Sequence, residues 1–213
     1  MFRIICLLIG YFIGCIQVAY IVGKLTAKID IREHGSGNAG STNITRVLGA
    51  KAGMIVFVAD VLKGISGFLI CTLLFDGDSS FFSGNSEMSI VAGLYGGLGV
   101  VLGHNFPFQL KFKGGKGVAS GLGVILCTNL LMAFSIYCFG TVAVAATKYI
   151  SMASLVMAFI FPIFMYFYNF PIEAVAVGAV LMFLSFYQHR TNIVRIANGT
   201  ENKFNPKKKG MMK

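Results

Sequence analysis

Charged side chains are scarce in this chain: Asp, Glu, Lys and Arg make up 12% of 213 residues, against 56% hydrophobic residues and a mean hydropathy of +0.76. A water-soluble domain needs more polar surface than that to cover itself, so the composition excludes one and indicates an integral membrane protein. Paired cysteine motifs are also lacking. Cys6, Cys15, Cys71, Cys127 and Cys138 all fall inside apolar runs, with no CxxC spacing and no neighbouring histidine, which excludes a disulfide framework and a zinc site and leaves buried, inert thiols. There is no GxxxxGK[ST] nucleotide loop and no GxSxG nucleophile elbow. Gly35-Ser-Gly37-Asn-Ala-Gly40 has the letters of a dinucleotide fingerprint, but an apolar helix and a charged loop precede it instead of a strand, so the match carries no cofactor.

What is present is a series of apolar runs. A spanning helix needs about 20 mostly apolar residues, and the runs Phe2–Gly23, Gly53–Phe75, Ser89–Gly103, Val118–Thr147, Ile150–Asn169 and Ile172–Gln188 reach or approach that length. The first follows Arg3 as a signal peptide would, yet it is too long and lacks a small-residue cleavage site, so it reads as a retained helix. The expected fold class is all-α, a polytopic transmembrane helical bundle forming one domain over residues 1–213 with a basic tail from about 202.

Charge orients the bundle. Of 18 basic residues, 15 sit in three segments: Lys24 to Lys51, Lys111 to Lys116, and Arg190 to Lys213. The positive-inside rule places all three in the cytoplasm. The segment Asp76 to Met88, with Asp76, Asp78 and Glu87 but no basic residue, suits the opposite face. An even number of crossings must then separate the second and third basic segments. Splitting Val118–Thr147 near Thr128-Asn129 gives seven helices, with the amino terminus outside and the carboxyl terminus cytoplasmic. The alternative is five, with that run as one tilted helix and a later segment re-entrant or interfacial.

Three polar islands interrupt the apolar runs: Gly35 to Asn43 with Arg46, Gly103-His104 through Gly114-Gly-Lys-Gly117, and His189-Arg-Thr-Asn192. Glycine lets backbone approach a phosphate closely, and successive N–H groups can form an anion nest. Lys116 adds a point charge there, at the start of a helix whose N–H groups face the same way. Arg46 suits bidentate phosphate binding, and Ser36, Thr42 and Asn43 supply hydrogen bonds or local turns and caps. His189 and Asn192 fall one turn apart if the last helix continues, aiming at one point, and a histidine can orient or deprotonate an alcohol. Lys111 and Lys113 read as headgroup contacts. Asp60 and Lys63, at i and i+3 inside an apolar run, read as a structural ion pair turned inward.

In order, spacing and content, the three islands resemble the motifs of the bacterial acyl-phosphate:glycerol-3-phosphate acyltransferases of the PlsY type. The resemblance covers nearly the whole chain, and includes Arg195, Gly199 and Glu201 after His189 and Asn192-Ile193, with Asp60 and Lys63-Gly64 earlier. Two positions depart from it, Ala39 for a more usual proline and Ser41 for alanine, neither removing a donor or charge. The resemblance implies transfer of a fatty acyl group from acyl-phosphate to the 1-hydroxyl of sn-glycerol-3-phosphate, giving lysophosphatidic acid and phosphate, the first step of phospholipid synthesis. It implies a multi-pass protein of the bacterial cytoplasmic membrane, acting as monomer or dimer among membrane lipids, with no metal, cofactor or nucleic acid. His189, Asn192 and Ser36 are expected at the reacting centre, and Arg46, Lys116, Asn43, Thr42, His104, Gly114, Gly115, Gly117 and Ser154 around the substrates. Glu201 is expected to brace the basic tail. A mixed anhydride is already activated, which agrees with the lack of a nucleophile elbow. No histidine has aspartate five positions later, against the HxxxxD acyltransferases. A transporter of phosphate-bearing anions is the rival class, disfavoured by polar islands on one face and no inverted repeat; a noncatalytic module recruiting lipid enzymes through the tail is another.

Overall fold

Among the described residues, 1–75 and 87–203 of a computed structural model, the chain forms ten α-helices and two 3-10 turns, and no strand. In chain order these are α1 (Phe2–Gly14), α2 (Val18–Ala27), α3 (Ser41–Leu48), α4 (Ala50–Phe75), α5 (Glu87–Asn105), α6 (Val118–Thr128), α7 (Leu130–Thr147), α8 (Ile150–Phe167), α9 (Ile172–Gln188) and α10 (Arg190–Ala197), with 3-10 turns at Ile31–Glu33 and Phe108–Leu110. Five segments are long and apolar enough to cross a membrane: α1 with α2, α4, α5 with the turn after it, α7 and α8. Joining α9 to α10 across a 60° bend makes a sixth, and α6 is a shorter apolar helix of 11 residues. The all-helical membrane bundle expected from composition is therefore the fold observed. Asp76 and Asp78 of the acidic segment and Lys207 to Lys209 of the basic tail lie outside the described residues.

The longest apolar run breaks at Asn129. Its extended backbone (φ −164°, ψ 126°) ends α6, and its carboxamide oxygen accepts from the Met132 amide at 2.9 Å to begin α7. An asparagine N-cap supplies the acceptor that a first-turn N–H lacks, so one polar residue stops and restarts the helix within apolar sequence. The reading of this run as one long helix is thereby set aside.

The first apolar run differs from expectation, for it is not one helix. It breaks at Cys15 to Gln17, leaving the carbonyls of Gly14, Cys15 and Ile16 without helical partners. Within a membrane such carbonyls must find donors in the protein. Side chains supply them, two from far along the chain and one from the break itself: Lys63 Nζ reaches Gly14 O at 3.4 Å and Ile16 O at 3.1 Å, Gln109 Nε2 donates to Cys15 O, and Gln17 Nε2 reaches Gly14 O at 3.1 Å.

The central element is α5, with 14 of its 19 residues buried. It packs most extensively on α1 and α4. Glycine makes this approach possible: a methyl group on Gly10, Gly14, Gly99 or Gly103 would collide with backbone of the facing helix. Small residues at helix crossings let backbones come close enough for dispersion forces to drive association where lipid removes the hydrophobic incentive. At the opposite extreme of burial, α7 turns Leu131, Phe134, Phe139 and Val142 outward as a lipid-facing surface.

The bundle has two chemically distinct ends. At one, Arg3 pairs with Glu173 and the Phe2 and Phe75 rings meet at 5.7 Å, joining the start of α1, the end of α4 and the start of α9. The three polar islands gather at the other.

Candidate functional site

The first island is a loop held from beneath by Asn43. Its carboxamide oxygen accepts from the Ser36 amide at 2.7 Å, and its nitrogen donates to Ile31 O at 3.1 Å and His34 O at 2.9 Å. With every polar group engaged and the side chain buried, Asn43 shapes the loop and does not face its open side. Gly35 (φ +63°) and Gly37 (φ +73°) sit in the left-handed region that this turn requires, and a Cβ on Gly35 would strike the Asn43 oxygen. Ser36 and Thr42 are exposed above it, and Arg46 is half-buried in the last turn of α3.

Arg32 ties this loop to the second island. Its guanidinium is held by Asp30 at 2.7 Å and donates through Nη1 to Leu110 O at 3.0 Å. The Arg32 hydrogen bonds hold the Asp30 carboxyl below its usual range. This strut was not expected from sequence, where Arg32 was only one of a set of basic residues.

In the second island the backbone folds back on the end of α5. The Gly114 amide donates to Asn105 O at 3.1 Å and the Gly115 amide to His104 O at 3.0 Å. Gly115 has no room for a side chain: a Cβ would fall on His104 Nε2 and the carbonyl of Ala39, so this is where the first and second islands touch. Gly117 (φ +75°) turns the chain into α6. His104 lies beneath the loop with 4% exposure, its Nδ1 2.7 Å from Lys63 Nζ, so the structure puts it behind the glycines and not on their open face.

Lys116 links the second island to the third. Its ammonium donates to Asn192 Oδ1; Asn192 Nδ2 donates onward to Glu201 Oε1 at 2.7 Å. Ser151 donates to the same carboxylate oxygen at 2.9 Å, and Arg195 Nε to the other at 2.7 Å. Glu201 thus braces Asn192 and the start of α8 as well as Arg195, a wider role than holding the tail. Burial would raise its pKa, but the hydrogen bonds from Arg195, Asn192 and Ser151 outweigh it and hold the carboxyl below its ordinary value. Lys116 is pushed down to about 8, by burial first and then by the nearby cations Arg195 and Arg190, with Glu201 opposing.

The last helix does not run on through His189. The chain bends by 60° there, α9 ending at Gln188 and α10 beginning at Arg190 with His189 as its N-cap; the His189 carbonyl accepts from the Ile193 amide at 2.8 Å, so His189 and Asn192 lie one turn apart on α10 and not on a continuation of α9. His189 is buried at the bend, with Nδ1 2.8 Å from Ser185 O. A carbonyl can only accept, so Nδ1 carries the proton and Nε2 of the neutral ring is an acceptor. Lys116 and Glu201 are its charged neighbours.

Below Lys116 an open cavity lies between α5, α6, α8 and α9. Ser154 and Ser185 lie toward the polar end; Val101, Ile125, Phe161 and Leu181 make the wall apolar. Ser154 spends its hydroxyl on Ile150 O at 3.2 Å. A basic, hydrogen-bonding mouth over an apolar cavity suits an anion that carries a long hydrocarbon tail.

These features define a helical membrane protein with a basic, hydrogen-bonding mouth over an apolar cavity. The family model described as glycerol-3-phosphate acyltransferase matches residues 4–199. The chain is 41% identical over 207 residues to the glycerol-3-phosphate acyltransferase of Alkaliphilus metalliredigens, covering 97% of this chain and 98% of that protein. It is also 41% identical over 209 residues to that of Clostridioides difficile, covering 96% and 97%. The crystal structure of PlsY, an integral membrane glycerol 3-phosphate acyltransferase, in its glycerol 3-phosphate form superposes with a TM-score of 0.84 at 32% identity, covering 95% of this chain and 96% of that one. Its lysophosphatidic acid form gives 0.82 at the same identity. The chain belongs to the PlsY family of glycerol-3-phosphate acyltransferases.

Proposed function

We propose that this protein transfers a fatty acyl group from acyl-phosphate to the 1-hydroxyl of sn-glycerol-3-phosphate, giving lysophosphatidic acid and inorganic phosphate, in a bacterial cytoplasmic membrane. The observation that carries this reading is the position of Lys116, a cation at the boundary between the glycine-rich polar loops and the apolar cavity. Family membership and a solved relative in glycerol 3-phosphate and lysophosphatidic acid forms support it.

Both substrates are phosphate anions. In this reading Lys116, Arg46, Ser36 and the backbone at Lys116-Gly117 hold the phosphates, the Gly114 and Gly115 amides being spent on the Asn105 and His104 carbonyls, while the acyl chain occupies the cavity lined by Ile125, Phe161 and Leu181. The glycerol hydroxyl attacks the acyl carbon, a new C–O bond forms, and the C–O bond to phosphate breaks with its electrons leaving on phosphate. The hydroxyl proton passes to a phosphate oxygen, directly or through Nε2 of His189, whose ring is fixed by Ser185. Rate enhancement then comes from positioning and charge stabilisation, without a covalent intermediate. Asn192 and Glu201 orient Lys116. With the polar end cytoplasmic, water-soluble glycerol phosphate and membrane-borne donor would both reach this one site.

The test is purified protein in nanodiscs with palmitoyl-phosphate and glycerol-3-phosphate, without metals or nucleotides. Lysophosphatidate is expected, with none from palmitoyl-CoA. Product from palmitoyl-CoA alone would overturn the donor assignment, and reagent labelling that put Lys116 or Arg46 outside the cell would overturn the orientation.

A further inference from the structure

Lys63 is a buried ammonium that the mechanism above does not use. Its side chain is 6% exposed and that of Asp60 2%, and the two pair at 2.9 Å inside α4. A pair that only neutralised itself would stop there. Lys63 instead lies within hydrogen-bond reach of two other elements: Ile16 O at 3.1 Å and Gly14 O at 3.4 Å in the broken first span, and His104 Nδ1 at 2.7 Å at the end of α5.

The bond to His104 reaches the phosphate loop. An ammonium has no acceptor, so Nδ1 accepts and the neutral ring keeps its proton on Nε2. That Nε2 edge lies against Gly115, where not even a methyl group fits, and the His104 carbonyl accepts from the Gly115 amide at 3.0 Å and from Gln17 Nε2 at 3.2 Å. The residue after Gly115 is Lys116. The ring and carbonyl of His104 are therefore the floor on which the loop rests, and Lys63 sets the ring.

We propose that Lys63 is a positioning residue for the phosphate-binding loop, acting through His104 to place Gly115 and Lys116 while sealing the break in the first span. The proposal rests on the reading that this loop holds glycerol phosphate. In metal sites a residue that orients a ligand is worth about ten- to a hundredfold in affinity or activity, and an effect near the lower end is expected here.

Removing one charge of a buried pair strands the other, which destabilises whatever the pair's role. The informative variant is therefore the double one, Asp60→Asn with Lys63→Met, which removes both charges. In nanodiscs its thermal midpoint is expected close to wild type and well above that of Lys63→Met alone. Its KM for glycerol-3-phosphate is expected to rise about tenfold with kcat changed much less, the pattern of lost binding. His104→Phe should raise KM similarly and add little to the double variant, since both act on one loop. Wild-type KM in the double variant would overturn the proposal, for the pair would then only neutralise itself. Failure of the double variant to fold would overturn it too, by making the pair a folding requirement. Wild-type protein without glycerol-phosphate binding would sink the loop reading instead, and the proposal with it.

Discussion

Lys116 and Asn192, 76 positions apart, are joined by a hydrogen bond from Nζ to Oδ1. That contact ties the glycine loop before α6 to the helix after the 60° bend. The Asn192 oxygen accepts from Lys116 while the Asn192 nitrogen donates to Glu201. Asn192 is thus a bridge between Lys116 and Glu201, and Lys116 is the cation that the proposed phosphate site would use.

That charge is pH-dependent. With its pKa lowered to about 8, free Lys116 is a cation below that value and loses its proton above it. Glycerol phosphate is already a dianion there, its second pKa lying near 6. Binding is expected to weaken as pH rises through 8, KM increasing about tenfold per pH unit above it if Lys116 supplies the dominant charge. KM measured from pH 7 to 9.5 checks this, and Lys116→Arg, which stays charged throughout, should flatten the profile.

Glu201 titrates in the opposite sense. Because the folded protein holds its carboxyl below the ordinary value, the stabilisation it gives is complete above that value and is lost as pH falls through the lower folded pKa. Glu201→Gln keeps the shape but removes the charge that three donors share. It should cost about 1.5–3 kcal/mol, the usual worth of hydrogen bonds to a charged group, and reduce acyl transfer by loosening Asn192. Thermal midpoints across acidic pH provide the check: wild type should converge on the variant as pH drops.

Much of this arrangement was legible in sequence, for physical reasons that also mark where it stopped. Asn129 announced itself because a polar N-cap residue stands out in apolar sequence, and the three islands because charge and glycine do. Cys15 to Gln17 did not, since the break is stabilised by donors from Lys63 and Gln109, far away in the chain. Residue type named Asn43 and His104 as members of the islands but could not tell which side of a loop they occupy; both turn inward and support it. Spacing put His189 and Asn192 one turn apart, as they are at the start of α10, but it could not show the bend that precedes them or the bond that joins Asn192 to Lys116.

Glycines divide into two kinds that one substitution separates. A methyl group on Gly103 would overlap the Tyr11 carbonyl and the Cys15 amide, both backbone, so neither can yield without parting α1 from α5. Gly103→Ala is expected to cost about 1–3 kcal/mol, as overpacking does. A methyl group on Gly121 meets nothing within 4 Å. Gly121→Ala should leave the thermal midpoint unchanged or raise it, alanine being the better helix former by about 1 kcal/mol.

Gly121 also lines the cavity, so the open space beside it is space that the proposed acyl chain would use. It lies on α6 four residues beyond Gly117, about one turn or 6 Å below the polar mouth. A leucine there would project into the cavity near its top and narrow the route toward Ile125 and Phe161 without touching Lys116. Gly121→Leu is therefore expected to keep its KM for glycerol-3-phosphate while losing long-chain donors selectively. In competition, the ratio of kcat/KM for palmitoyl-phosphate over octanoyl-phosphate should fall at least several-fold, since each excluded methylene forfeits about 0.8 kcal/mol of burial. An unchanged ratio in a folded Gly121→Leu protein would mean that the acyl chain lies elsewhere, outside the space between α6 and α8.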